Sequence, residues 1–130
     1  MQTFPMFLRM AGRRVVILGG GEQAAQKARL ILKTEAEILV VARALDPELA
    51  ALATSGRIRH ATALGPDTFA NAALAFVATG DPDADARLGA LARSAGVLTN
   101  VVDAPELCDA FTPSIVDRDP LVVAIGTEGA

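Results

Sequence analysis

"VVILGGGEQAAQKARLIL", residues 15–32, decides how the rest of the chain reads. Four apolar residues run into three glycines, and the glycines run into a stretch with helical periodicity. Gly19-Gly20-Gly21-Glu22-Gln23-Ala24 fits the pattern G-x-G-x-x-[GA], placed between a strand and a helix as dinucleotide binding requires. In that role Gly19 makes the tight turn and Gly21 lets a pyrophosphate approach the backbone. Ala24 is small enough for helix and strand to pack closely. The helix start then offers free N–H groups and the positive end of its dipole to phosphate oxygens.

Outward from this turn, short apolar runs alternate with longer helical patterns, the signature of βαβ units around a parallel sheet. Strands are expected over 14–18, 38–42, 58–62, 73–79 and 97–103. Helices are expected over 23–32, from Asp46 to Gly56, and from Asp81 to Gly96, with a short one over 67–71. Asp46 and Asp81 each precede a proline, as an N-cap precedes the first helical position, and Gly56 and Gly96 close their helices. "SIVDRDPLVVAIG" (114–126) differs, with two short strands flanking the turn-forming Asp117-Arg118-Asp119-Pro120. The expected class is α/β: a Rossmann-like, doubly wound parallel sheet with a hairpin-like C-terminal extension of that sheet. One domain spans 1–130, a βαβ core over 1–112 and the extension over 113–130, and the chain is expected to stop short of further structure.

Composition agrees with that class. Hydrophobic residues make up 52% of the 130, but aromatics only 4%, so the core is built from Ala, Val, Leu and Ile. The scarcity of aromatics and a net charge of −3 argue against a nucleic-acid partner. Arginine outnumbers lysine ten to two, which supplies forked donors for carboxylate or phosphate. The single cysteine, Cys108, excludes an internal disulfide and a thiolate metal cluster, and it reads as a small residue in a partly buried loop. His60, the single histidine, reads as a surface or half-buried strand residue. No signal peptide and no membrane-spanning run is present, so a cytoplasmic protein is expected.

Ligands of open α/β sheets sit outside the carboxyl ends of the strands. After the second strand a carboxylate would be expected to hold the adenosine ribose, but Arg43 and Ala44 stand there instead. Arg43 could accommodate a 2′-phosphate or lie along the adenine, and spacing alone leaves NAD and NADP open. Thr79, Gly80 and Asp81 are placed to line the ribose side, and Asp81 can cap its helix at the same time. Asn100 lies on the fifth strand and Asp103 at its end. As a residue, Asp103 reads first as a loop carboxylate opening an Asp-Ala-Pro turn, and only second as a proton acceptor beside a nicotinamide.

Three segments in order, "FPMFLRMAGRRVVILGGGEQAAQKARLIL" (4–32), "FVATGDPDAD" (76–85) and "NVVDAPELCDAFTPSIVDRDPLVVAIGTEG" (100–129), resemble the N-terminal module of the siroheme synthase family. That module is a precorrin-2 dehydrogenase and sirohydrochlorin ferrochelatase. The resemblance covers essentially the whole chain and rests most on "NVVD" followed by "TPSIVDRDPLVVAI". It implies NAD-dependent oxidation of precorrin-2 to sirohydrochlorin, then insertion of ferrous iron as a substrate to give siroheme. The aspartate of "NVVD", implicated in both steps, maps onto Asp103. The dinucleotide maps onto Gly21, Glu22, Gln23, Arg43 and Ala44, with NAD as the cofactor, although the family commonly has proline where Arg43 stands. The polycarboxylate substrate makes Arg118 a candidate clamp, and Thr127 a candidate substrate contact in the loop after the last strand. Family members continue into a helical region that builds a homodimer, and some carry a methyltransferase domain. Lys33-Thr34-Glu35-Ala36 departs from the expected glycine after the first helix. Two rival readings remain: a non-catalytic NAD(P)-binding regulatory domain, and an NADP-dependent reductase suggested by Arg43.

Overall fold

A computed structural model describes residues 1–128 of the chain; the last two positions of the 113–130 extension lie outside the described residues. In chain order the elements are β1 (Arg14–Leu18), α1 (Glu22–Ile31), β2 (Glu37–Val41), α2 (Pro47–Thr54), β3 (Arg59–Ala61) and β4 (Ala72–Val77). They are followed by α3 (Pro82–Ser94), β5 (Leu98–Val101), a 3₁₀ turn (Pro105–Leu107), β6 (Ser114–Arg118) and β7 (Leu121–Ile125). β1 to β5 form one parallel sheet in the order β3-β2-β1-β4-β5, the doubly wound arrangement expected from the sequence. Strands are added on one side of β1 up to β3 and on its other side from β4 onward, so the topological switch point lies between the carboxyl ends of β1 and β4, at the glycine turn.

The apolar runs are continuous, not alternating, because both faces of the sheet are covered. Val15, Ile17, Val40 and Phe76 face α1 and α2, packing on Ala24, Ala28, Ile31 and Leu49. Val16, Leu18, Val77 and Val101 face the other way, against Ala92 of α3. Gly89 of α3 lies so close to β5 that an added Cβ would sit 3.0 Å from Val101 Cγ2.

Asp46 caps α2 by accepting from Leu49 N at 2.9 Å, and Asp81 caps α3 by accepting from Asp83 N at 3.1 Å. The glycine missing after α1 is replaced by a side chain. Thr34 Oγ1 donates to Ile31 O at 2.7 Å and accepts from Ala36 N at 3.2 Å, so the helix ends without a left-handed residue. His60 is exposed, its Nε2 2.7 Å from Ala42 O.

Two expectations are corrected. The helix over 67–71 is a run of turns: Thr68 N, Ala70 N and Ala72 N each reach back three residues, and Asn71 takes φ +58°, which no continuing helix permits. The C-terminal hairpin does not extend the main sheet. β6 and β7 pair only with each other as a two-stranded antiparallel sheet, exposed along its whole length. Its apolar side chains, Ile115, Val116, Leu121, Val122, Val123 and Ile125, all stay exposed, because nothing else among the described residues packs on the hairpin.

At the opposite edge from the glycine turn, Glu37 joins three strands. Its carboxylate meets Arg59 at 2.8 Å and Arg14 at 3.2 Å, and these two guanidiniums hold it below its ordinary value of 4.5. A carboxyl lowered on folding stabilises the fold above its unfolded pKa, and that contribution disappears as pH falls through the folded value. The melting temperature of Glu37→Gln should therefore lie below wild type at pH 7, and the two should converge as pH drops from about 4.5 downward. Parallel curves across that window would remove Glu37 from the account of acid stability.

Candidate functional site

Each glycine of the turn has its own geometric reason. Gly19 has φ +138°, and an added Cβ would overlap the Ala78 carbonyl oxygen where the loop after β4 crosses the turn. Gly20 is equally constrained, by the Ala44 carbonyl and the Ala42 side chain of the loop after β2. Gly21 faces open space, with nothing within 4 Å of an added Cβ. The first two glycines thus let three loops converge, and the third leaves the space above the turn free. Backbone bonds lock the convergence: Gly19 N donates to Val41 O, Asp46 N to Gly20 O, and Ala78 N to Leu18 O. The need for glycine at position 20 was missed from the sequence, because it arises from a neighbouring loop and not from the local turn.

That free space can admit an anionic group such as a pyrophosphate. α2 and α3 have their first N–H groups capped by aspartates, but α1 begins at Gly21 with no side-chain cap. Its leading N–H groups have no intrahelical acceptor, and an anionic oxygen would satisfy them. Glu22, the first helical residue, is drawn away by Arg29, which also pairs with Glu48 of α2 at 2.9 Å. The two carboxylates hold the Arg29 guanidinium above its usual range. Arg43 is exposed in the loop after β2 and makes no ion pair among the described residues. Ala44, also exposed, contributes the carbonyl that excludes a side chain at Gly20.

The loop after β4 is held by a residue the sequence did not single out. Asp85, on the first turn of α3 and only 6% exposed, accepts from the Thr79 N–H at 3.0 Å and from the Thr79 hydroxyl. This fixes Thr79 in place, and Gly80, at φ +85°, turns the chain after it. The sequence "DPDAD" offers no sign that its third aspartate is buried, since acids in a first helical turn are ordinary.

Asp103 follows β5 and has φ +62°, a left-handed conformation that aspartate tolerates better than most residues. Its Oδ2 accepts from Gln23 Nε2 at 3.2 Å, which joins the glycine turn to the far loop across 80 positions of sequence. Asn100, half-buried on β5, donates to Ala110 O at 2.9 Å and so anchors the returning loop. Cys108 Sγ sits 3.2 Å from both the N–H and the carbonyl of Val101, a structural position in a partly buried loop. Beside these residues lies an open cleft of about 270 Å³, with Asn100, Asp103, Phe111, Thr112 and Lys27 on its walls.

The structure therefore brings Gly19, Gly21, Glu22, Gln23, Arg43, Ala44, Thr79, Gly80, Asn100 and Asp103 to the carboxyl end of the sheet. It does not bring Arg118 or Thr127 there. Arg118 ends β6 on the separate hairpin, its guanidinium bonded to the adjacent Asp117 carbonyl, and Thr127 lies exposed beyond β7. Neither lines the cleft beside Asp103. Among the described residues no group of acids, histidines or cysteines is arranged to hold a metal ion, and no helix is long and apolar enough to cross a membrane.

A profile of the family described as "Putative NAD(P)-binding" matches residues 6–114. Among curated proteins, the siroheme synthase of Methylobacillus flagellatus is 41% identical over 130 residues, covering 99% of this chain and 28% of that protein. Siroheme synthase 1 of Aeromonas salmonicida is 44% identical, with the same coverage of both chains. The chain thus spans a little over a quarter of the length of these relatives. Among solved structures, "SirC, precorrin-2 dehydrogenase" superposes with a TM-score of 0.75 at 26% identity, over 98% of this chain and 63% of its own.

Proposed function

Because the chain belongs to this NAD(P)-binding family, we propose that it oxidises precorrin-2 to sirohydrochlorin with NAD, as the dehydrogenase portion of siroheme synthesis. The observation that carries the reading is the contact between Gln23 and Asp103. It sets a carboxylate beside the dinucleotide turn and at the mouth of a cleft. The siroheme synthases matched along the whole chain and the precorrin-2 dehydrogenase fold support the same substrate.

NAD, when bound, supplies the hydride acceptor. Gly21 and the uncapped start of α1 would hold its pyrophosphate, and Thr79 and Gly80, with Thr79 fixed by Asp85, would border its ribose side. Asp103 takes the substrate proton that must leave as the hydride does. Its carboxylate is exposed, so the proton it takes can pass on to water. Gln23 donates to one carboxylate oxygen and leaves the other free to face the cleft. Asn100 keeps the cleft open by fixing the loop that forms its far wall.

Ferrous iron insertion into sirohydrochlorin is the second activity proposed, with Asp103 removing pyrrole N–H protons and iron entering as a substrate. Cytoplasmic location and assembly as a homodimer belong to the same proposal. The exposed apolar side chains Ile115, Val123 and Ile125 of the hairpin support an interface beyond this chain. Arg118 and Thr127, on and beyond that hairpin, contact the tetrapyrrole only within such an assembly.

Anaerobic NADH formation from precorrin-2 and NAD tests the dehydrogenase. Turnover that depends on both reactants is expected, and its absence would leave a dinucleotide-binding module. The cofactor assignment has its own test. Exposed Arg43 invites a 2′-phosphate, so a reductase would bind NADP far more tightly than NAD and lose that preference in Arg43→Ala. We expect NAD to be the better substrate in wild type, and Arg43→Ala to change its KM by no more than about threefold, as for an exposed contact.

A further inference from the structure

Lys27 is one of only two lysines in a chain with ten arginines, and it occupies a particular place. On α1 it stands one turn after Gln23, at the i+4 position that shares a helix face. Gln23 reaches Asp103, so Lys27 lies next along the same wall. It is half-buried, with its ammonium 5.5 Å from the centre of the Phe76 ring on β4. Among the residues lining the Asp103 cleft, Lys27 is the only cation. No carboxylate pairs with it among the described residues, whereas Arg14, Arg29, Arg59 and Arg93 are all paired.

A lysine ammonium is strongly hydrated, and seating it over an aromatic face inside a cleft removes some of that water without supplying an anion. The ring face holds the positive charge in place and leaves its N–H donors directed to the open side. Such a group is prepared for a carboxylate that arrives from outside. Asp103 on the same rim repels anions, so an entering carboxylate is steered toward Lys27 and away from the base.

Taking the function proposed above as premise, we infer that Lys27 anchors a peripheral carboxylate of the tetrapyrrole and so fixes which edge of the macrocycle faces Asp103. Lys27 takes no part in proton or hydride transfer. Its contact is made with bound substrate before and during the reaction alike, so it acts on substrate affinity and leaves the chemical step alone.

The test uses two variants. Lys27→Met keeps the apolar stem over Phe76 and removes the charge, and Lys27→Arg keeps the charge. We expect Lys27→Met to raise the KM for precorrin-2 by about tenfold or more, the usual effect of losing a charge-assisted hydrogen bond. kcat and the KM for NAD should stay within about twofold of wild type, and Lys27→Arg should recover most of the affinity. The wild-type KM for precorrin-2 should also rise more steeply with salt than that of Lys27→Met. A merely structural lysine would lower the melting temperature without this KM split. An unchanged KM for precorrin-2 in Lys27→Met would overturn the inference while leaving the dehydrogenase intact. Titration with sirohydrochlorin, followed by its absorbance, separates the two ideas. If wild type forms no NADH yet binds sirohydrochlorin more tightly than Lys27→Met, the dehydrogenase reading fails and the anchor stands. Equal binding by the two, or none by wild type, overturns the anchor.

Discussion

Asp103→Asn is expected to reduce precorrin-2-dependent NADH formation by roughly 10²- to 10⁴-fold, the range that a positioned general base contributes. Asparagine is the informative replacement because the backbone there is left-handed, at φ +62°. Asn adopts that conformation readily, whereas Ala would add a backbone penalty of about 1 kcal/mol to any chemical effect. The amide also preserves the shape that meets Gln23 and can still accept from its Nε2. NAD affinity should change by less than about threefold, since the proposed pyrophosphate site is at Gly21 and α1 and not on this loop. Asp103→Ala should lose turnover to the same extent and melt a few degrees lower. If Asp103→Asn turned over at the wild-type rate, the proton would have another acceptor and the proposed mechanism would be wrong.

The second large effect separates glycines that are adjacent in sequence. Gly20→Ala is expected to destabilise the fold by about 3 kcal/mol, the upper end for overpacking, with a drop in melting temperature of roughly 10 °C. The added methyl has to displace backbone at Ala44 and the Ala42 side chain together, and neither is a flexible end. Gly19→Ala should be at least as costly, because it combines the overlap with Ala78 and an unfavourable positive φ. Gly21→Ala should melt within about 1 kcal/mol of wild type, as its methyl meets nothing. It should nevertheless weaken NAD binding by about tenfold or more, because the methyl fills the space the pyrophosphate needs. Thermal denaturation and an NAD titration on the three variants measure both effects. Wild-type NAD affinity in Gly21→Ala would show that the dinucleotide does not approach the turn there.

Most of the fold was legible because periodicity and punctuation agreed. Apolar runs marked the buried strands β1, β2 and β4, flanking glycines bounded the edge strands β3 and β5, and Asp46-Pro47 and Asp81-Pro82 marked two helix starts through capping chemistry that operates within three residues. The short helix over 67–71 was misread for the converse reason. "DTFAN" carries no strong local signal, and Asn71 turns left-handed while its side chain donates to the Gly12 carbonyl. The hairpin's strands were read correctly, but their attachment to the main sheet was not, because local alternation says which residues pair and not which sheet they join.

The sequence by itself determined the alternation of strands and helices, the glycine turn and the ends of α2 and α3, since each depends on sterics and hydrogen bonds between near neighbours. Tertiary structure alone decided why Gly20 cannot carry a side chain, why Asp85 is buried and Asp81 is not, how Gln23 reaches Asp103, and how Lys27 comes to line a cleft with residues more than seventy positions away. Those relations depend on which loops converge at the carboxyl edge of the sheet, and the order β3-β2-β1-β4-β5 fixes that convergence by placing β1 beside β4 and β4 beside β5.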